Sequence, residues 1–395
     1  MNHLKSSILT AALALVSLTS ANAANLTVGN IIVERIGNGS TALSNASAQI
    51  AVLEYTTTGT NVQTITFPTT GITQQTDSGS ATSNGYLNSY NGFVAVTGHD
   101  SASGVTSVSG LNNKVTSIID STGNVATRIT HPTSGSPLPF TGNNYRSAIA
   151  TSSTTFYASG NGTSSTGGVW YYNGAAFSQI SSTNSGQPVN LRNIEIFNNQ
   201  LYVSSSTTGF LGISRIGAVG AGLPTSTGQS ATLEINMGVG ASPFGFVMFD
   251  TNSDSFLDTA FIADDRTAVG GGLQKWTFNG TAWSNSYSLL FDAAAGNLSA
   301  NAGTGFAGIR GLTGTYDSST GFSLFATTTE ASNNRLVQIL DNGTNPTTYS
   351  TLALAGANNA FRGVDINTVP EPSSATLLGL GFLALIGLRR LSRKS

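Results

Sequence analysis

Tyr145-Arg146-Ser147-Ala148-Ile149-Ala150, followed by TFYASG (155–160), GGVWYYN (167–173) and FSQIS (177–181), is the stretch that decides the fold. Each piece is short, rich in β-branched and aromatic residues, and bounded by Gly, Asn or Ser, which reads as four strands joined by turns. The unit then recurs. Leu191-Arg192-Asn193 opens the next pass, with IEIF (194–197), QLYVSSS (200–206) and LGISRIG (211–217) behind it. FGFVMF (244–249), DTAFIADD (258–265), LQKWTF (273–278) and YSLLF (287–291) make another. Ile309-Arg310-Gly311 opens a further one, continued by SLFATTT (323–329), RLVQIL (335–340) and YSTLAL (349–354). An earlier pass is GYLNSY (85–90), GFVAVTG (92–98), KVTSII (114–119) and VATRIT (125–130). A period of roughly 46–65 residues is that of propeller blades, with one four-stranded antiparallel sheet per repeat.

The two ends of this region are incomplete in a complementary way. Residues 27–67 offer three strands (NIIVERIG, QIAVLEY, VQTITF), and Phe361-Arg362-Gly363-Val364-Asp365-Ile366 offers one with the blade-opening pattern. Joining them completes a sixth blade and removes the open sheet edges. The expectation is therefore an all-β, six-bladed β-propeller over residues 24–368, closed by its N- and C-terminal strands. Seven blades is the main competitor; a β-sandwich pair or a parallel solenoid is the remaining alternative.

Composition agrees with a folded, exported domain. Only 9% of the 395 residues are charged, against roughly 25% in an average soluble protein, yet the apolar clusters suffice for a core. The absence of cysteine removes thiol catalysis, iron–sulfur clusters and Cys-ligated zinc together. Of 16 Lys+Arg, Lys5 lies in the leader and Arg389, Arg390, Arg393 and Lys394 lie in the tail, as does Glu371, so between the two ends 11 face 17 Asp+Glu. A net charge of about −6 over residues 24–368 lacks the basic stripe of a nucleic-acid binder.

Residues 1–23 read as a signal peptide. Lys5 precedes an apolar stretch from Ile8 to Leu18, and Ala21-Asn22-Ala23 fits the small-x-small cleavage rule, with cleavage after Ala23. At the other end, Pro370-Glu371-Pro372 is followed by 373–388 without a charge, then by the basic end 389–395 that includes Arg389 and Arg390. A helix over 373–388 would span roughly 24 Å, short for a ~30 Å hydrocarbon core, and its arginines can snorkel. The basic end favours the cytoplasmic side, which leaves the bulk of the chain outside.

This ending closely resembles the PEP-CTERM sorting signal, with Pro370, Glu371 and Pro372 matching its triplet position for position. The resemblance covers residues 369–395. It implies recognition by exosortase, a membrane-embedded protease of Gram-negative exopolysaccharide producers. The implied route runs from inner-membrane anchoring, with the domain in the periplasm, to the cell surface or matrix. A plain C-terminal anchor that is never processed is the alternative. The middle of the chain also resembles a group of bacterial secreted propeller-like proteins, through AFRGV (360–364), LRNIEIFNNQLY (191–202) and GNIIVERIGNGS (29–40). That resemblance implies the fold and no activity.

Chemistry is concentrated at few places. Asp250, Asn252, Asp254 and Asp258 space oxygen ligands as in the D-x-[DN]-x-[DN]-G-x-x-D calcium loop of integrin-like propeller repeats, with Ser255 where that loop has Gly. A structural Ca²⁺ there competes with a metal-free polar hairpin. Arg146, Arg192, Arg310 and Arg362 recur at blade openings, near the channel mouth, where guanidinium groups can bind a carboxylate or phosphate. The alternative use is bonding between neighbouring blades. Outside the leader the only histidines are His99 and His131, and neither H-E-x-x-H nor G-x-S-x-G occurs. His99 and Asp100 are sequence neighbours on opposite faces of a strand. Asp264-Asp265-Arg266 offers a candidate general acid or a solvated strand end. Trp170, Tyr171, Tyr172, Trp276 and Trp283 can stack on sugars or pack in the core. The leading reading is a non-catalytic surface or matrix protein binding exopolysaccharide or another surface component. A calcium-assisted hydrolase or lyase for phosphate esters or acidic glycans is the rival, and a purely structural spacer the third reading.

Overall fold

The computed structural model describes residues 24–135, 138–181 and 186–368. Ala21, Ala23, Pro370, Glu371, Pro372, the 373–388 segment, Arg389 and Arg390 lie outside the described residues. Among the described residues the only helical piece is a 3₁₀ turn at Val108–Gly110, and no helix is long and apolar enough to cross a membrane.

The repeats become antiparallel meanders. Tyr145–Ala150, Phe156–Gly160, Gly168–Tyr172 and Phe177–Gln179 form one sheet. Leu191–Phe197, Gln200–Ser205, Gly212–Ile216 and Ala231–Asn236 form the next. Pro243–Phe249, Thr259–Asp264, Gly272–Phe278 and Trp283–Asp292 form a third, extended by Asn297–Ser299 and Phe306–Ala307. Ile309–Asp317, Gly321–Thr328, Arg335–Asp341 and Ser350–Leu354 form a fourth.

The remaining strands share a single nine-stranded sheet. It contains one meander of Ala360–Ile366, Ile31–Ile36, Ser47–Tyr55 and Asn61–Thr66, and another of Asn88–Tyr90, Phe93–His99, Lys114–Ile119 and Val125–Thr130. Thr76–Ser78 fuses them, pairing Asp77 with Ala48 and Thr76 with His99. Three consecutive polar residues carry no apolar alternation, so the pattern does not mark this linking strand. The first and last strands of the described region do meet in one sheet: Ile31 pairs with Ile366, Val33 with Val364 and Ile36 with Ala360.

Burial falls from the first strand of each meander to the last. Tyr145–Ala150 is buried throughout, whereas Asn61–Thr66 and Ser350–Leu354 contain no buried residue. Apolar clusters lie at the seams between meanders. Ile149, Tyr157 and Val169 pack with Leu191, Ile194 and Leu201, and Ile213 and Ile235 with Phe246 and Ile262. The architecture is thus all-β and propeller-like, with buried inner strands touching their neighbours in succession.

Small residues allow that touching. Asn88 Nδ2 donates to Ser147 Oγ, and Ser147 Oγ donates to Asn193 Oδ1, each at 2.8 Å. A Cβ at Gly245 would lie 2.7 Å from Arg310 O, and one at Gly311 would lie 2.6 Å from Arg362 O. At Gly363 it would lie 2.6 Å from Leu87 N. Glycine is needed at these positions because backbone meets backbone there.

Candidate functional site

A cleft of about 980 Å³ opens between the Leu191–Asn236 and Pro243–Asp292 sheets. Its floor is the apolar seam, with Met248 and Leu257. Two tight hairpins shape its ends. Asn198 and Asn199, both at positive φ, form a two-residue connection between Phe197 and Gln200, the conformation that matches strand twist. Asn279 Oδ1 accepts the N–H groups of Thr281 and Ala282, and the resulting turn places Phe278 opposite Trp283. Their rings are 5.4 Å apart. Asn198 Nδ2 donates to Ser255 O at 3.1 Å, tying a hairpin of one sheet to a hairpin of the next.

The cleft walls combine rings with charges. Tyr202, Phe278 and Trp283 are partly buried, while Phe256 and Val219 are exposed at 67% and 72%. Arg215 Nε donates to Glu234 Oε1 at 2.8 Å, and Arg215 also binds Gly217 O. Burial pushes the Tyr202 phenol up to about 12, with Glu234 adding and Arg215 opposing. Asp254 and Asp258 complete the charged lining. Of the five aromatics singled out in the sequence, only Trp283 lines this cleft. Trp170 and Trp276 are core residues, their indole N–H groups donating to Thr166 O and Gly167 O, and to Gln274 Oε1. Tyr202, Arg215, Glu234 and Phe278 escaped sequence reading because the site joins two repeats. The one local signal was the Asn-Gly turn between two aromatics, Phe278 and Trp283.

The acidic loop forms one wall of the same cleft. Asp250 accepts Ser255 N–H at 2.7 Å, Asn252 accepts Asp254 N–H at 3.0 Å, and Asp254 accepts Phe256 N–H at 2.8 Å. Asp258 instead binds the hydroxyls of Thr251 and Thr259. Ser255 adopts φ 73°, the left-handed conformation that glycine takes without steric cost. Among the described residues no group of three or more His, Cys, Asp or Glu side chains is placed to hold a metal ion.

The four arginines meet around Tyr86 and Phe244. Arg192 stacks on the Phe244 ring at 3.7 Å and donates to Ser242, while Arg310 lies 5.7 Å from the same ring and pairs with Asp265. Arg146 reaches Asn190 and Leu191 of the next sheet, and Arg362 donates to Gly79 O at 2.7 Å. Burial, reinforced by Arg192, pulls the Arg146 guanidinium down to about 9. Burial, then Arg310, lowers Arg362 likewise. Each arginine donates at least one hydrogen bond outside its own meander. Asp264 is also engaged, held by Arg266 at 2.6 Å while fully buried.

Both histidines are buried at the fused sheet. His99 Nδ1 lies 3.3 Å from Asp77, a partner distant in sequence, and Asp100 pairs with Arg128. His131 Nε2 bonds Thr116 Oγ1, which meets Tyr145 Oη. Burial holds the His131 ring well below the usual histidine range, with Lys114 and His99 adding to it.

No curated protein matches the chain. Among similar solved structures is the periplasmic gluconolactonase PpgL of Pseudomonas aeruginosa, at 10% identity over 81% of each chain with a TM-score of 0.42. Another is AofleA from Arthrobotrys oligospora, at 9% identity over 86% of this chain and 94% of that one, with a TM-score of 0.47. Likeness at that level carries no argument about chemistry. Residues 368–394 match the PEP-CTERM protein-sorting motif, which starts just beyond Asn367. The chain thus carries a PEP-CTERM protein-sorting motif at residues 368–394, a signal that implies an exported, exosortase-sorted protein.

Proposed function

We propose that this protein is a non-catalytic surface component that binds a polysaccharide in the cleft between the Leu191–Asn236 and Pro243–Asp292 sheets. The carrying observation is the cleft itself: four aromatic side chains beside an Arg215–Glu234 pair and two aspartates. Ring faces take the apolar faces of sugars, and fixed polar groups take hydroxyls. In this reading the nine-stranded sheet counts as two blades and the ring as six, closed by Ile31–Ile36 against Ala360–Ile366. The buried histidines and the Arg266-bound Asp264 support a binding role over a hydrolase or lyase. The rival needs a free cationic set, whereas each of the four arginines already donates outside its own meander. We also propose that the 250–258 loop takes a structural Ca²⁺ once Asp258 leaves its two threonines.

The test is a glycan array probed with the full chain, followed by calorimetry on the best ligand. Trp283→Ala should weaken binding about tenfold, or 1.4 kcal/mol, with the melting temperature unchanged. An array with no retained saccharide, or a variant that binds as the parent does, would refute the reading.

A further inference from the structure

We infer that the cleft selects a cationic saccharide, a polymer bearing free amino groups, over an acidic one. This rests on the saccharide reading and names the class of ligand. The cleft lining carries one cation, Arg215, against three carboxylates, Glu234, Asp254 and Asp258, with no lysine or histidine among them. Arg215 is already neutralised by Glu234 at 2.8 Å. An incoming uronate or phosphate therefore meets no free positive group, and it meets two unpaired negative ones. Asp254 is exposed, and its only acceptor contact among the described residues is through Oδ1, to Phe256 N–H. In the calcium-free loop its Oδ2 stays available for an ammonium donor. The rings act in the same direction, because the faces of Trp and Tyr attract cations. The excess of Asp+Glu over Lys+Arg beyond the leader adds a long-range field of the same sign.

Calorimetry on the full chain, in chelator so that no cation screens the loop, tests this directly. Three oligosaccharides of equal length are compared: a glucosamine oligomer, its N-acetylated counterpart and a galacturonate oligomer. The pH is held where the amines are protonated and aspartate is ionised. The amine oligomer should bind at least about tenfold tighter than either other at low salt, and the advantage should shrink when salt shortens the screening length. Asp254→Asn should cut the advantage several-fold, lowering the affinity for the amine oligomer more than that for the N-acetylated one, with the melting temperature unchanged. A uronate bound as tightly as the amine, or an advantage indifferent to Asp254→Asn, overturns the inference. If amine and N-acetyl oligomers bind equally and Trp283→Ala weakens both, the saccharide reading stands and the charge selection falls. If no oligomer binds, the saccharide reading fails and this inference with it.

Discussion

Ser255 shows how a single side chain governs the acidic loop. Its N–H bonds Asp250 as a calcium loop requires, but a β-carbon sits at φ 73°, where glycine is the relaxed choice. Calcium has to draw Asp258 away from Thr251 and Thr259. Ligand bound to the native state alone adds RT ln(1 + [L]/Kd), about 2.7 kcal/mol at a hundredfold excess. Millimolar calcium should then raise the melting temperature by a few degrees, chelation should reverse it, and Asp254→Ala should abolish it. A flat response would leave the loop a polar turn. A second pair of residues sets a pH response. Burial pushes Asp365 up to about 6, against hydrogen bonds from Ser89, Thr313 and Ile366. Burial, then Asp365, raises Glu195 well above the carboxylate range, against Asn193. Raised pKa values mean that the folded chain holds protons that the unfolded chain has released. For Asp365 the cost is therefore full above about 6 and fades as the pH falls toward 4, and for Glu195 it grows in the same sense as the pH rises through its raised folded pKa. Glu195→Gln removes one charge and keeps the Asn193 bond, so its stability relative to the parent should grow as the pH rises from 5 to 8. Thermal melts of both proteins give that difference, free of the background from His131 and Lys114. A constant difference would sink the proposed coupling.

The strands were legible because each repeat alternates apolar runs with Gly, Asn and Ser turns, a local signal. The fusing strand Thr76–Ser78 was not, since its stability comes from partners in two other strands. The recurring arginines were also legible. Bonding between neighbouring blades was one of two readings, and Arg146, Arg192 and Arg362 donate to Leu191 O, Ser242 and Gly79 O, each outside its own meander. The cleft was mostly hidden, because Tyr202 and Trp283 are adjacent only once two meanders pack. What pattern reading misses here is side-by-side contact, and the inner glycines locate it. Gly363→Ala places a Cβ 2.6–2.7 Å from the backbone of Gly85, Tyr86 and Leu87. Overpacking of this kind costs about 1–3 kcal/mol, and rigid backbone on the receiving side puts this case at the upper end. At Gly110 the nearest atom to an added Cβ is 3.9 Å away. Gly110→Ala should thus be near neutral in the same denaturation series, and equal effects at both sites would show that the inner strands are not in tight contact.

The ring as proposed depends on a contact between its two ends. Ile31–Ile36 finds its second neighbour only in Ala360–Ile366, and the residues just beyond are fastened as well. Asn367 N donates to Asn30 O, Gly29 N donates to Asn367 O, and Thr368 N donates to Ser89 Oγ. Closing so long a loop carries an entropy cost that no early contact offsets. Order of synthesis makes this a matter of timing. The first strand made needs the last one, so the edge of Ile31–Ile36 stays open, and prone to pairing with another chain, until nearly the whole polypeptide has been exported. The sorting motif begins at the residue where this fastening ends. The segment that completes the fold and the segment that exosortase reads therefore emerge together, and a chain that has not finished export has no latched domain to deliver.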